Sequence, residues 1–117
     1  MAEVQNTTVK MALDRLAALD EVGFLDAFAA SGFVDDWGTI YRGRQEIDTW
    51  SSRELIGAQG VLTVTHVEEG TPAQDPGSGQ ALVVVTGDWR SSFANGPSRF
   101  EFLVVDGLIS SMTIRAA

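Results

Sequence analysis

The sequence contains no cysteine and only one lysine, Lys10, among its 117 residues. The absence of cysteine excludes disulfides and thiol chemistry. The 16 acidic residues outnumber the 8 basic ones, and the formal net charge is −8. A surface of this sign repels phosphate groups, so neither nucleic acid nor an anionic membrane surface is an expected partner.

Long hydrophobic runs are also lacking. The longest strongly apolar run, at residues 81–85, is far shorter than the ~20 residues of a membrane-spanning helix. The N-terminal segment has no basic-then-apolar signal-peptide pattern, which favours a cytoplasmic location. His66 is the only histidine. Because a metal site needs about three protein ligands, we expect neither a metal nor another cofactor.

Helical spacing dominates the first half of the chain. A first helix is predicted behind the capping residue Asn6, and a second follows Asp20 and ends near residues 31–32, with Phe24 and Phe28 on one face. After a short strand at residues 38–41, a third helix is predicted over residues 43–57. Its apolar face carries Ile47 and Trp50, and Gly57 suits its C-terminal cap.

The second half alternates in the manner of strands. Strands are predicted at residues 61–68, 81–89, 99–105 and 108–115, with a turn-rich loop at 71–79 and a two-residue hairpin turn at 106–107. Helices followed by an antiparallel meander indicate an α+β fold. Since residues 99–105 are apolar on both faces, with Leu103 and Val105 outward, a homodimer packed through the sheet is expected.

Three segments carry a resemblance to a known superfamily: FVDDW (33–37), YRGRQEIDTW (41–50) and FEFLVVDGLISSMTI (100–114). In this order and spacing they resemble the nuclear transport factor 2-like fold, and within it the SnoaL-like group of small bacterial proteins. The resemblance covers nearly the whole chain, which is interpreted as a single SnoaL-like domain, 1–117.

The resemblance implies a cone-shaped α+β barrel, in which three N-terminal helices lie against a curved antiparallel sheet. The open end of such a cone holds a largely apolar pocket. Members of the superfamily include polyketide cyclases, ketosteroid isomerases, scytalone dehydratases, limonene-epoxide hydrolases and noncatalytic binding domains. Fold alone therefore leaves an isomerase, cyclase or dehydratase on one side and a noncatalytic ligand-binding or dimerisation domain on the other.

Period-two alternation predicts which side chains line the pocket. If the threonines of residues 61–68 face outward, His66 points inward. The predicted substrate-binding residues are Trp50, Trp89, Phe100, Phe102, Met112 and Tyr41. Such a cavity suits a flat apolar ligand, for example a polyketide, steroid or terpenoid.

Asp36 is the predicted catalytic base, paired across the pocket with His66 as acid or orienting partner. By resemblance, Asp36 matches the aspartate base of ketosteroid isomerase. Adjacent residues of a strand face opposite ways, so Asp35 is expected to be the solvated neighbour. The isomerase's oxyanion-binding tyrosine and protonated aspartic acid do not carry over, because residues 11–13 and the region of Phe100 lack them. The alternative for Asp36 is a rim charge or a turn residue ahead of Gly38.

Asp88 and Arg90 offer a second possible acid–base unit, similar to that of limonene-epoxide hydrolases. Those enzymes also use an acid from the last strand, and residues 108–117 contain none. The alternation of residues 81–89 places Asp88 and Arg90 outside unless a bulge at Gly87 reverses them. Cross-strand ion pairing on the outer face is the competing interpretation, for these two residues and for Arg99 with Glu101.

Overall fold

The computed structural model of the protein describes residues 3–70, 80–92 and 94–117. The predicted loop at 71–79 lies outside the described residues. The helices are α1 (Thr7–Ala17), α2 (Glu21–Asp26) and α3 (Gly43–Trp50), and a π-helical turn, Ser51–Leu55, continues α3. The strands are β1 (Phe28–Asp36), β2 (Thr39–Arg42), β3 (Val61–Gly70), β4 (Gln80–Arg90), β5 (Gly96–Val105) and β6 (Leu108–Ala116). The α+β class is as predicted.

All six strands belong to one sheet with the order β2-β1-β6-β5-β4-β3. Strands β3 to β6 form the predicted antiparallel meander. The expectation of a wholly antiparallel sheet is wrong in one place, because β1 runs parallel to β6. Asp106 and Gly107 both have positive φ and connect β5 to β6, as the hairpin prediction required.

The first helix forms as predicted. The Asn6 side chain accepts a hydrogen bond from the Val9 amide at 3.1 Å, and Val9 and Leu16 are buried. The second predicted helix is too long, since α2 ends at Asp26 and β1 begins at Phe28. The local apolar spacing is overridden by pairing with β6, whose Ile109 amide donates to the Ala27 carbonyl at 2.8 Å.

The third helix changes its hydrogen-bond pattern half-way. Beyond Trp50 the chain widens into the π-helical turn, where the Ile56 amide donates to the Ser51 carbonyl at 2.7 Å. Gly57 is not the predicted left-handed cap; Gln59 instead takes a positive φ of 55°. Among the described residues, no helix is long and apolar enough to cross a membrane.

The core lies between the helices and the concave face of the sheet. Val83, Val85 and Trp89 of β4 are buried, as their alternation predicts. Phe100 and Phe102 of β5, and Met112 and Ile114 of β6, are also buried. Leu103 and Val105 lie half-buried on the opposite face. The sheet therefore has the two apolar faces inferred from the sequence.

Candidate functional site

A cavity of about 540 Å³ opens between α3, the β1–β2 hairpin and the ends of β4, β5 and β6. Its wall is largely aromatic and includes Trp37, Tyr41, Trp50, Trp89 and Phe100. Its polar groups include Asp36, Thr39, Glu54, Asn95 and Ser98. A cavity of this volume with an apolar wall and few polar groups is the usual form of a small-molecule site.

Asp36 is the last residue of β1, and its side chain lines the cavity. It lies opposite Thr39 of β2 and beside Ile114 of β6, so strands on both sides fix its position. The Trp50 indole N–H donates to Asp36 Oδ2 at 3.0 Å. Partial burial raises the pKa of the Asp36 carboxyl above its usual 3.8; the indole hydrogen bond opposes this effect, and the charges of Glu54 and Asp35 add to it.

The turn after Asp36 places an exposed tryptophan at the cavity rim. Trp37 has φ 52° and Gly38 has φ 96°, the pair of positive values that a two-residue hairpin requires. Trp37 is 61% exposed although it belongs to the cavity wall. Because β1 ends at Asp36, Trp37 belongs to the turn rather than to the strand.

Glu54 is a functional candidate that sequence reasoning missed. It lies in the π-helical turn, its side chain is 14% exposed, and it lines the cavity. Its Oε2 accepts from the Arg53 guanidinium at 2.5 Å and from the Tyr41 hydroxyl at 3.5 Å. The spacing could have revealed it, since it follows Trp50 by one helical turn and therefore shares its face.

Asp35 points away from the cavity, and both of its carboxylate oxygens accept hydrogen bonds. Both of its carboxylate oxygens accept from the Arg115 guanidinium, at 3.0 Å and 2.9 Å, and Oδ1 also accepts from the Gly38 amide at 2.8 Å. The guanidinium hydrogen bonds, together with the Gly38 amide, lower the pKa of Asp35 below 3.8, although desolvation opposes them. The turn role considered for Asp36 is therefore performed by Asp35.

His66 does not enter the cavity, so its predicted inward orientation is wrong. A bulge in β3 pairs Val64 with Gly87 and His66 with Thr86 and leaves Thr65 unpaired. The extra residue reverses the alternation, and Val67 packs against the core instead. The His66 side chain is 63% exposed and meets Glu68 at 3.2 Å. The predicted Asp36–His66 pair is not assembled.

Asp88 and Arg90 also lie outside the cavity. The Arg90 guanidinium donates to Asp88 Oδ2 at 2.8 Å, and Arg99 meets Glu101 at 3.7 Å. The outer-face ion-pair interpretation fits these positions, and the hydrolase-like unit has no access to the cavity. Each pair forms along one strand rather than between strands.

The predicted substrate-binding residues divide into two groups. Tyr41, Trp50, Trp89 and Phe100 line the cavity, whereas Phe102 and Met112 belong to the buried core and are not part of its wall. Trp89 is held by close packing on Gly60, where a Cβ atom would lie 2.0 Å from the indole ring. Their role in substrate binding remains a prediction.

A metal centre has no ligand set in the part of the chain that is described. No group of three or more histidine, cysteine, aspartate or glutamate side chains is close enough to hold an ion there. Among the described residues of the cavity wall, the carboxylates are Asp36 and Glu54. The groups present can bind an apolar molecule and exchange a proton with it.

Sequence comparisons identify no relative: no known family profile and no curated protein matches the chain. Structural comparison is informative. A nuclear transport factor 2-like protein from Cytophaga hutchinsonii superimposes with a TM-score of 0.70 at 9% identity, over 97% of this chain and 93% of that one. The chain therefore has the nuclear transport factor 2-like fold, as predicted.

Two further neighbours were solved with ligands. The orange carotenoid protein from Anabaena (Nostoc), which binds canthaxanthin, superimposes with a TM-score of 0.84 at 18% identity. The match covers 97% of this chain but only 37% of that protein's length. A Mycobacterium tuberculosis protein in complex with estradiol-17β-hemisuccinate gives a TM-score of 0.75 at 15% identity, over 94% of this chain and 91% of that one.

Proposed function

We propose that the protein binds an apolar, ring-containing small molecule in the cavity and that Asp36 exchanges a proton with it. The observation that carries this proposal is a half-buried carboxylate with a raised pKa in the wall of a 540 Å³ aromatic cavity. Desolvation makes such a carboxylate a stronger base than an exposed one. The reaction class is proton transfer at carbon beside a carbonyl group, as in cyclisation, isomerisation or dehydration.

The ligands of two structural neighbours support an apolar occupant. Canthaxanthin and estradiol-17β-hemisuccinate, bound by those proteins, both contain apolar rings. The resemblance of the sequence to polyketide cyclases and ketosteroid isomerases adds to this argument. In this chain, Trp50 would orient Asp36 through its indole N–H, and the aromatic wall would exclude water from the reacting carbon.

A bicyclic ketone provides a direct test. Tetralone carries exchangeable hydrogens beside its carbonyl group, and NMR in heavy water follows their replacement by deuterium. We expect the wild-type protein to accelerate the exchange above the buffer rate. Quenching of the fluorescence of the cavity tryptophans should report binding separately. Asp36→Asn should retain binding, because asparagine still accepts from Trp50, while exchange returns to the buffer rate.

Retention of full exchange by Asp36→Asn would contradict the assignment of the base. A wild-type protein that binds tetralone without accelerating exchange would favour the second candidate, a noncatalytic ligand-binding protein. One observation favours that candidate: His66, the expected partner of Asp36, lies outside the cavity. The two candidates share the cavity and differ only in turnover.

The predicted homodimer through the sheet is retained as part of the proposal. Leu82 and Leu108 are exposed hydrophobic residues, and the β5 residues Leu103 and Val105 are half-buried on the outer face. Contact with a second copy would cover this apolar surface. Sedimentation should give twice the monomer mass for the wild type and a monomer for Leu103→Glu; a monomeric wild type would refute the dimer.

A further inference from the structure

The charges around the cavity are unequally compensated. Arg53 pairs with Glu54, and Arg115 is held by both oxygens of Asp35. The hydrogen bond that Asp36 receives comes from a neutral indole, at 3.0 Å. Of the described residues in the cavity wall, none is basic. Asp36 thus presents a negative charge to the cavity and has no ion-pair partner in the described part of the chain.

The aromatic part of the cavity wall also favours a positively charged ligand. Tyr41 and Trp50 lie 6.0 Å apart, centroid to centroid, and Trp89 meets Phe100 edge-on at 5.9 Å. Trp37 adds a further ring at the rim. The faces of such rings attract cations, and the attraction is worth about 0.5–2 kcal/mol per contact, more where water is excluded. Rings and carboxylate therefore favour the same sign of ligand charge.

We propose that the cavity selects an apolar, ring-containing ligand that carries a positively charged nitrogen, held between the aromatic rings and the carboxylate of Asp36. This inference rests on the proposed function, because it names the charge class of the ligand of the same cavity. The net charge of −8 adds a long-range attraction for cations and disfavours anions. Carboxylate-bearing ligands are expected to be excluded.

Three anthracene derivatives of nearly equal size separate charge from apolar binding: anthracenylmethylamine, anthracenylmethanol and anthracenylacetate. At neutral pH the first is a cation, the second is neutral and the third is an anion. Fluorescence anisotropy of the anthracene ring measures all three dissociation constants at one ionic strength. We expect the amine to bind at least about tenfold more tightly than the alcohol, and the acetate to bind more weakly than either.

The alcohol tests the proposed function, and the ratio of amine to alcohol tests the charge preference. Equal binding of amine and alcohol would overturn the inference while leaving the apolar site intact. Absence of binding by all three compounds, with a native circular dichroism spectrum, would count against both proposals. The preference for the amine should also weaken as the pH falls through the raised pKa of Asp36, while alcohol binding stays constant.

Matched variants locate the charge responsible. Asp36→Asn should reduce amine binding towards that of the alcohol and leave alcohol binding nearly unchanged. Glu68→Gln removes the same charge from the outer surface, where Glu68 meets His66, and should change neither constant. If amine binding responded equally to both variants, the cation would be bound by the general surface charge, and the inference would fail.

Discussion

Asp35 and Asp36 are neighbours in sequence but belong to opposite faces of the sheet. Asp35 lies on the convex side, where the Arg115 guanidinium and the Gly38 amide satisfy its oxygens. Asp36 lies on the concave side, where the Trp50 indole is its donor and a cavity adjoins it. The pKa of Asp35 is lowered mainly by the guanidinium, and that of Asp36 is raised mainly by desolvation.

Exposure alone does not explain this contrast. The Asp35 side chain is only 19% exposed, so both carboxylates are partly removed from water. The difference comes from their partners: a bidentate guanidinium stabilises the charged form strongly, whereas a single neutral donor does not offset burial. A carboxylate that already forms an ion pair interacts only weakly with a ligand. Asp36 has no ion-pair partner among the described residues, and it is therefore the carboxylate that we propose as base and as cation ligand.

Asparagine at each position in turn should give the largest contrast. Asp36→Asn removes the only proposed base, and general-base catalysis contributes about 10²–10⁴-fold, so exchange of tetralone hydrogens should fall by about 100-fold or more. Asp35→Asn should change the exchange rate far less, because its side chain faces Arg115 rather than the cavity and acts on Asp36 only through its charge. Deuterium exchange followed by NMR measures both. Equal losses would show that the two faces are not functionally separate.

Removing the indole donor should give a smaller effect of defined sign. Trp50→Phe keeps an aromatic wall but removes the N–H that lowers the pKa of Asp36. The carboxyl should then keep its proton to higher pH. In a plot of the exchange rate against pH, the rise in rate should therefore shift to higher pH. Trp89→Phe is the control, since Trp89 lines the same cavity but does not donate to Asp36. A profile unmoved by Trp50→Phe would contradict the tuning role of the indole.

Of the two asparagine variants, only Asp35→Asn should lower the stability of the fold at neutral pH. Asp35 has a lowered pKa in the folded state, so its charge stabilises the fold above the unfolded pKa, and this contribution is lost as the pH falls through the folded value, below 3.8. Asp35→Asn should therefore lower Tm at neutral pH, with the difference fading in acid.

The pKa of Asp36 is raised, so its ionised form carries a desolvation cost at neutral pH that disappears when it is protonated. Asp36→Asn should leave Tm unchanged or raise it. Scanning calorimetry of both variants from neutral to acid pH compares the signs directly. A lower Tm for Asp36→Asn at neutral pH would show that the Asp36 carboxylate makes a stabilising interaction beyond its hydrogen bond with the indole.

Much of this arrangement was predictable because it depends on local rules. Strict alternation placed Val83, Val85 and Trp89 inward, and turn chemistry identified the hairpin at residues 106–107. Opposite orientation of adjacent strand residues separated Asp35 from Asp36. These features need only the period of a strand and the conformational freedom of a turn.

The predictions that were wrong concern interactions that the periodicity of apolar residues does not encode. The apolar spacing around Phe28 favoured a helix, but parallel pairing with a strand about eighty residues later made it part of β1. No sequence pattern indicates the π-helical turn. The spacing of Trp50 and Glu54, in contrast, can be read from the sequence. Asp35 was expected to be solvated because Arg115 was not recognised as its partner across β1 and β6.

Replacing His66 should have the smallest effect of these variants. A result without any effect would support the position of His66 outside the cavity. One extra residue in β3, the bulge at Thr65, turned the predicted acid of the cavity into an exposed residue beside Glu68. His66→Gln keeps a polar side chain of similar size outside the cavity, so neither tetralone exchange nor anthracenylmethanol binding should differ from the wild type. Glu68→Gln, with the same surface location, is the matched control. A loss of exchange in His66→Gln alone would mean that the concave and convex faces are coupled at β3, and the separation that distinguishes Asp36 from Asp35 would not extend across the sheet.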